Sequence, residues 1–356
     1  MPITPRNRYN AIVTPDNFNR AETDRYFHWT IRLAGGIGCF HHRRDIMPIE
    51  WQTMVRPNRD TLYSAAVFDL DAAPVTITLP DSGSRFMSML VIDEDQFAPV
   101  VIHGAGRYTL SREQIGTRYA MAEIRTLVDP RHHSDLEQAH RLQDTIAVDQ
   151  GRRGWFQVPA WDTASQRTVR EALVTLGRTV PDSRGMFGSR TQVDPVRHLI
   201  GTALRWGGNP EDEATYLNVT PAMNDGTIVH RLIAKEVPVD GFWSISVYNA
   251  EGYFEPNSHG AYSVNSITAD RSQDGSVTVQ FGGCDTWAPN CLSIMPGWNY
   301  MVRLYRPRAE ILNGSWVFPL ATPVLKTHSR ASRARTRTIV GAAFSYRERR
   351  SLPELV

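Results

Sequence analysis

The stretch Gly241-Phe-Trp-Ser-Ile-Ser-Val-Tyr-Asn249 alternates bulky apolar residues with hydroxyl-bearing ones. Such a period of two belongs to a strand whose two faces meet different surroundings. Trp243, Ile245 and Val247 share one face, and Ser244, Ser246 and Tyr248 share the other. Similar short segments flank it: Val229–Val237, Tyr262–Ala269, Ser276–Phe281 and Tyr300–Arg306, with Asp274-Gly275 turning the chain before Ser276. Asn224-Asp-Gly226 opens the group. Short strands separated by Gly, Asp and Asn breaks predict an antiparallel β unit rather than a parallel sheet.

A second β unit is predicted nearer the start of the chain. Thr61–Leu70, Val75–Leu79, Arg85–Asp93, Val100–His103 and Tyr119–Leu127 are apolar or alternating, and breaks such as Pro80-Asp-Ser-Gly83 separate them. Helices fill the remainder. Phe18–Leu33 has helical spacing and stops at Gly35-Gly36. Ser134-Asp-Leu-Glu137 has the form of a capping box and predicts a helix to Val148. Thr163-Ala-Ser-Gln166 predicts another, with Val169, Leu173, Leu176 and Val180 on its apolar stripe. Asp194-Pro195 caps a third, Val196–Trp206, which Gly207-Gly208 ends. The expected fold is therefore mainly β with a helical connector: two antiparallel β-sandwich, jelly-roll-like domains bridged by helices. The expected boundaries are 1–40 (helical segment), 41–130 (first sandwich), 131–223 (connector), 224–325 (second sandwich) and 326–356 (basic, disordered tail).

The charge is divided unevenly along the 356 residues. The formal balance is +2, but Lys326–Val356 alone carries +6, so residues 1–325 carry −4. A mildly acidic body excludes the basic face of a nucleic-acid binder. No uncharged apolar run reaches the ~20 residues that a bilayer span needs, and no membrane partner is expected. The first residues have charge but no apolar stretch after it, so a cytoplasmic location is expected as written, or export if the true start lies upstream. With no export signal, Cys284 and Cys291 are expected as free thiols rather than a disulfide, and Cys39 as a small buried hydrophobe.

No nucleophile elbow, Walker loop or His-Glu-x-x-His is present, and Gly36-Ile-Gly38 follows a helix rather than a strand. No cofactor is therefore expected. His133-Ser-Asp135 matches a facial-triad fragment, but a helix start accounts for it; His41-His42 beside Arg43-Arg44 reads as a surface turn. His198 lies near the apolar face of its helix, as a hydrogen-bonded core residue or a general base. Two segments concentrate polar side chains within strands: Asn58-Arg-Asp-Thr-Leu-Tyr-Ser64, and Tyr300-Met-Val-Arg-Leu-Tyr-Arg306 with Tyr248 and Asn265. Charged groups pointing into a β core are costly unless paired. They form either a structural Arg–Asp pair with tyrosines at a corner, or a pocket. In the pocket, Arg59 or Arg303 holds an anionic or carbonyl oxygen while Asp60, Tyr63 or Tyr248 moves a proton. The candidate catalytic set is thus Arg59, Asp60, Tyr63, His198, Tyr248 and Arg303.

These segments also carry a resemblance. Val55–Leu70, Pro74–Asp81 and Arg85–Met89 resemble the domain-of-unknown-function family numbered 1254. Val237–Asn249, Gly252–Asn257, Asp274–Gly282 and Pro296–Pro307 resemble its companion family, numbered 1214. The resemblance spans about residues 40 to 320 in the families' order. It implies two β-sandwich domains bridged by helices, and self-association into a homo-oligomer; it implies little chemistry. The residues themselves leave two functions open. One is a cofactor-independent enzyme, a hydrolase or lyase acting on a small polar or carbonyl-bearing molecule. The other is a non-catalytic small-ligand-binding or assembly protein.

Overall fold

The fold is described from a computed structural model, which covers residues 10–52, 55–286 and 288–324. Among these residues the chain is mainly β, with sixteen strands in four sheets and six helices. It divides into two compact units, neither contiguous in sequence. The first takes Met1–Arg44, Leu62–Val128 and His132–Glu211; the second takes Asp45–Thr61, Asp129–Arg131 and Asp212–Val356.

The elements of the first unit, in chain order, begin with α1 (Phe18–Ala34), β1 (His41–His42), β2 (Thr61–Asp69), β3 (Val75–Leu79), β4 (Met87–Asp93), β5 (Val100–His103) and β6 (Gly106–Leu110). They continue with α2 (Arg112–Ile115), β7 (Tyr119–Leu127), α3 (His133–Thr145), β8 (Ala147–Gln150), α4 (Thr163–Gly177) and α5 (Pro195–Arg205). A five-stranded sheet has the order β1-β2-β7-β4-β5, and a three-stranded sheet the order β6-β3-β8. Strand β4 shows why the sheet is buried on both faces. Met87, Met89 and Val91 enter a core shared with Val75, Ile77 and Leu79 of the three-stranded sheet. Leu90 and Ile92 point the other way, into a cluster with Phe27 of α1. Helix α1 also contributes Phe18 and Ala21 to a third cluster with Leu173 of α4 and Ile200 of α5. Its end is set by Gly35, which adopts φ 76°; the Gly35 N–H donates to the Arg32 carbonyl and the Gly36 N–H to the Ile31 carbonyl.

The second unit contains β9 (Ala214–Val219), β10 (His230–Ala234), β11 (Trp243–Tyr248), β12 (Ser263–Asn265) and β13 (Val277–Phe281). It ends with β14 (Cys291–Leu292), β15 (Asn299–Tyr305), α6 (Ala309–Leu312) and β16 (Thr322–Pro323). One sheet has the antiparallel order β12-β11-β15-β9, the other the order β14-β13-β10-β16, in which β13 and β14 are parallel. The alternation in β11 has the consequence expected from it. Trp243, Ile245 and Val247 join Val302 and Leu304 in one core with Leu232, Val277, Val279 and Phe281 of the other sheet. That leaves Ser244, Ser246 and Tyr248 on the opposite face.

Several local expectations are corrected. The helix predicted from Ser134 to Val148 begins at His133, without a side-chain cap, and stops at Thr145. Asp135 is instead engaged by the Arg85 guanidinium, with Nη1 donating at 2.9 Å. Ala147–Gln150 then pairs antiparallel with β3, because Ile146 and Val148 are needed against the first core. Helix α4 is capped by Asp162, not Thr163, since the carboxylate accepts the Ser165 amide. His41 and His42 are no surface turn: they pair with Ala65 and Ser64 of β2, half-buried, and His42 Nδ1 lies 2.8 Å from Ser64 Oγ. Tyr262–Ala269 keeps only three strand residues, because Asn265 Oδ1 accepts the Ile267 and Thr268 amides and turns the chain. Residues 326–356 lie outside the described residues, and no described helix is long and apolar enough to cross a membrane.

The expectation of three free thiols is also overturned. Cys284 and Cys291 are joined as a disulfide, with Cα atoms 5.5 Å apart. Cys291 lies on β14, which pairs with the end of β13, and this brings the chain back beside Cys284 within the ordinary disulfide span. Thiol titration of the denatured, unreduced protein is therefore expected to find one reactive thiol per chain, Cys39; finding three would contradict the bond.

Candidate functional site

The polar face of the β12-β11-β15-β9 sheet gathers four of the six candidate residues, or the segment that carries them. Register fixes the arrangement: Ser244 of β11 lies opposite Asn265 on one side and Arg303 on the other, and Arg303 lies opposite Tyr216 of β9. Directly opposed residues share a face, so hydroxyl, amide, phenol and guanidinium groups form one surface. Residues 45–52 and 55–61 of the same unit run over it. Ile49 packs with Tyr248, Phe254 and Met301, and Gln52 exchanges hydrogen bonds with both main-chain groups of Phe254, at 2.7 and 2.8 Å.

Arg303 is the centre of this arrangement and is 2% exposed. Its Nη1 donates to Ser246 Oγ at 2.9 Å; its Nη2 donates to the Tyr248 hydroxyl at 2.8 Å and to the carbonyls of Arg56 and Pro57 at 2.9 and 3.2 Å. The Tyr248 hydroxyl, itself fully buried, donates to the Pro57 carbonyl at 2.8 Å. Burial works against the Arg303 charge, but the phenol oxygens of Tyr248 and Tyr305 and the Asp60 carboxyl hold its pKa above the ordinary arginine value. Both terminal nitrogens are thus engaged by protein oxygens. Arg56 takes φ 53° to offer its carbonyl here, a conformation that non-glycine residues keep only when held. Its own N–H is held by the Gly252 carbonyl at 2.8 Å.

Asp60 is buried beside this cluster, and its Oδ1 accepts Asn265 Nδ2 at 3.2 Å. Oδ2 faces Ser244, whose hydroxyl offsets part of the cost of burial, although the two do not meet in good hydrogen-bond geometry. Burial lifts the carboxyl above the usual carboxylate range, and the Arg303 charge opposes this only in part. Arg59 is half-buried at the rim. It donates to the Met47 carbonyl and lies over the rings of Tyr262 and Phe254, at 5.2 and 5.8 Å. Burial lowers its pKa from the ordinary arginine value. On the same sheet face, Asn299 donates its Nδ2 to the Asn249 carbonyl at 2.7 Å. The Oδ1 atoms of Asn299 and of Asn218, from β9, are buried with no protein donor, as are Ser244 Oγ and Asp60 Oδ2.

The other two candidates belong to the first unit. Tyr63 is on β2 with the Arg125 guanidinium 5.5 Å above its ring. His198 on α5 is 2% exposed and stacks on Phe97 at 4.3 Å. Its Nδ1 lies 2.9 Å from the Met186 carbonyl and its Nε2 3.0 Å from the Asp95 carbonyl. Both ring nitrogens thus face protein oxygens, an arrangement suited to a structural tie between α5 and the turn after β4.

That turn belongs to a carboxyl cluster that the sequence reading passed over. Asp93, Glu94 and Asp24 of α1 are 1%, 5% and 2% exposed. Burial pushes Asp24 up to about 7, with the Trp161 hydrogen bond opposing it, and Asp93 up to about 7 against the amides of Phe97 and Asp95. Glu94 is raised by burial as well. The available signal was Asp24 itself, an acid within the Ala21–Asp24–Phe27 series on the buried side of α1, together with three consecutive acids, Asp93 to Asp95. Among the described residues no group of three or more His, Cys, Asp or Glu side chains is placed to hold a metal ion.

Comparison with known proteins gives matches to two families. The family described as Protein of unknown function (DUF1254) matches residues 37–150, and that described as Protein of unknown function (DUF1214) matches residues 222–309. No curated protein matches the chain. Among solved structures, the VPA0106 protein from Vibrio parahaemolyticus is similar in fold, with a TM-score of 0.65 and 15% identity over 87% of this chain and 98% of that one. An uncharacterised protein from Burkholderia cenocepacia aligns with a TM-score of 0.50 and 13% identity, over 87% of this chain and 88% of the other.

The Arg303 clamp has a measurable consequence. Tyr248→Phe removes one donor to Pro57 and one acceptor from Arg303, and is expected to cost about 1–3 kcal/mol in urea denaturation. Arg303→Met leaves the carbonyls and Asp60 uncompensated and is expected to cost about 3–5 kcal/mol. In both variants amide exchange over 55–61 should quicken while β10 and β13 stay protected. Unchanged exchange over 55–61 would mean that the clamp does not hold this segment.

Proposed function

We propose, for a chain that belongs to the DUF1254 and DUF1214 families of proteins of unknown function, that it binds a small polar molecule on the polar sheet face of its second unit, and that it acts by binding rather than by catalysis. The observation that carries this reading is the pair of buried amide oxygens on that face, Asn218 Oδ1 and Asn299 Oδ1, for which the protein supplies no donor; Asp60 Oδ2 and Ser244 Oγ beside them do not meet in good hydrogen-bond geometry. Leaving a buried acceptor unmatched costs about 1–3 kcal/mol. Acceptors retained at that cost are suited to a molecule that brings its own hydroxyl or amide N–H groups. The arginine best placed to polarise a carbonyl, Arg303, has both terminal nitrogens committed to protein oxygens. Arg59, half-buried nearby, lies over the rings of Tyr262 and Phe254.

Side chains from paired sheets enter one core in each unit, which supports a sheet-on-sheet, sandwich-like arrangement for both. Self-association is expected from the family resemblance, and light scattering would then give a mass that is a multiple of 40.2 kDa. The catalytic reading, hydrolysis or elimination on a carbonyl-bearing molecule, has one favourable observation. Asp60 is a carboxyl that burial disposes toward its protonated, proton-donating form.

A thermal-shift panel of small polyols and primary amides tests the binding reading. A ligand that binds the folded protein raises Tm in proportion to the logarithm of its concentration above Kd. At least one member should do so for the wild type, and Asn218→Leu combined with Ser244→Ala should fold yet lose the shift. A panel that moves no Tm, with native mass spectrometry showing only the bare chain, would sink the proposal. Product appearing with any member, and lost in Asp60→Asn, would favour catalysis.

A further inference from the structure

Helix α1 presents Arg20 and Asp24 one turn apart toward the turn that joins β4 to β5. Backbone donors fix that turn: Asp93 Oδ1 accepts the amides of Asp95 and Phe97 at 2.8 and 2.9 Å, and Glu94 Oε2 accepts the Tyr119 amide at 3.1 Å. Arg20 reaches across from the helix, donating through Nε to Asp95 Oδ1 at 2.8 Å and lying 3.6 Å from Glu94 Oε1. Arg190 approaches from the segment before α5, 2.7 Å from Asp95 Oδ2 and 3.6 Å from Asp93 Oδ2. Asp24 is held on one side only. Its Oδ2 accepts the indole N–H of Trp161 at 2.8 Å, and its Oδ1 is buried with no hydrogen-bond partner.

The charges here do not balance. Four carboxyls, Asp24, Asp93, Glu94 and Asp95, face two guanidinium groups, Arg20 and Arg190. The other charged groups on the elements packed around them are engaged elsewhere. Glu22 is held by Arg25, Arg170 and Gln166. Arg118 forms a two-pronged pair with Asp69. His198 faces two carbonyl oxygens, one of them that of Asp95. Full ionisation would therefore leave two negative charges uncompensated beside α1, where Asp24, Asp93 and Glu94 are buried.

We propose that this cluster is a proton-operated latch between α1 and the β4–β5 turn: with Asp24 and Asp93 protonated the helix closes on the turn, and loss of those protons loosens the contact. The device lies in the first unit and does not depend on the binding reading for the second. Burial places both carboxyls at about 7, so the change falls in the physiological range. The sign follows from linkage. The folded-state pKa lies above the ordinary carboxylate value of about 4, so the folded protein holds more protons between the two. The stabilisation is complete below about pH 4 and is lost as the pH rises through about 7.

Trp161 reports the event directly, because its indole donates to the titrating carboxyl. The experiment is a pH titration of tryptophan emission between pH 5.5 and 8.5, with Trp161→Phe subtracted to isolate that residue. The expected result is one transition near pH 7 that disappears in Asp24→Asn and persists in His198→Gln. In parallel, wild-type Tm should fall by about 5 °C or more across that range, and the fall should flatten in Asp24→Asn. Absence of a Trp161 transition in the wild type would overturn the proposal without need of any variant at Asp24. A transition that survives in Asp24→Asn, or disappears in His198→Gln while the fold is kept, would overturn it too. If Asp24→Asn does not fold, Asp93→Asn, which must flatten part of the Tm slope, serves in its place.

Discussion

A guanidinium with no access to water must find its acceptors inside the protein, and in the second unit this requirement organises much else. Arg303 sits on the central β15 strand with its side chain on the face away from the apolar core. Only two of its partners, Ser246 and Tyr248, come from the sheet. The rest are main-chain carbonyls of residues 56 and 57, so burying the charge obliges residues 55–61 to lie across the sheet. Arg56 is held in the left-handed region for the same reason. The polar face then becomes an enclosed layer of hydrogen-bonding groups rather than a wet surface. Asp60 is drawn into it one turn further along the segment, and the Asn58 amide reaches the Tyr305 hydroxyl at 3.0 Å.

Much of this was legible in the sequence, because a strand's period of two is a local property. The alternation across 243–248 gave both faces of β11 correctly, and Arg303 and Tyr305 could be placed on one face of β15 from spacing alone. Asp194-Pro195 marked the start of α5, where the Asp194 carboxylate accepts the amides of Val196 and Arg197. What could not be read is whatever depends on a partner distant in sequence. Ser134 and Thr163 satisfied the capping pattern, yet neither caps its helix: α3 already starts at His133, and Asp162 offers its carboxylate one residue before Thr163. Strand β8 looked like the end of a helix because nothing local says that β3 lies beside it. The edge strand β9 escaped notice for the same reason, since Ala214–Val219 is too polar to announce itself without β15.

The candidate residues divide along the same line. Arg59, Asp60, Tyr248 and Arg303 were joined on paper by their chemistry, and they do fall within one unit. Tyr63 was named with the 58–64 segment and His198 from its place on its helix, and both belong to the other unit. The sequence suggested arginines that would grip an external oxygen. In the structure the protein's own carbonyls occupy Arg303, and the groups left over are acceptors. The polarity of the site is therefore the reverse of what composition suggests, because hydrogen-bonding capacity is decided by what neighbours have already taken.

The chain treats buried charge in two opposite ways, and this separates structure from response. Asp69 is as buried as Asp24, at 1% exposure, but Arg118 meets it with two parallel hydrogen bonds and the Trp155 amide adds a third. Its pKa is held below the ordinary range despite burial, so it stays ionised across physiological pH. Arg303 is likewise met by protein oxygens at both terminal nitrogens, and its pKa is held above the ordinary arginine value. Asp24 and Asp93 lack such matching, and only a proton can neutralise them. A saturated pair fixes a conformation, whereas an under-compensated carboxyl leaves the conformation dependent on proton activity. Placing the second kind between α1 and an acidic turn, while the first kind ties down residues 55–61, gives the chain one rigid polar layer and one contact that can respond to its surroundings.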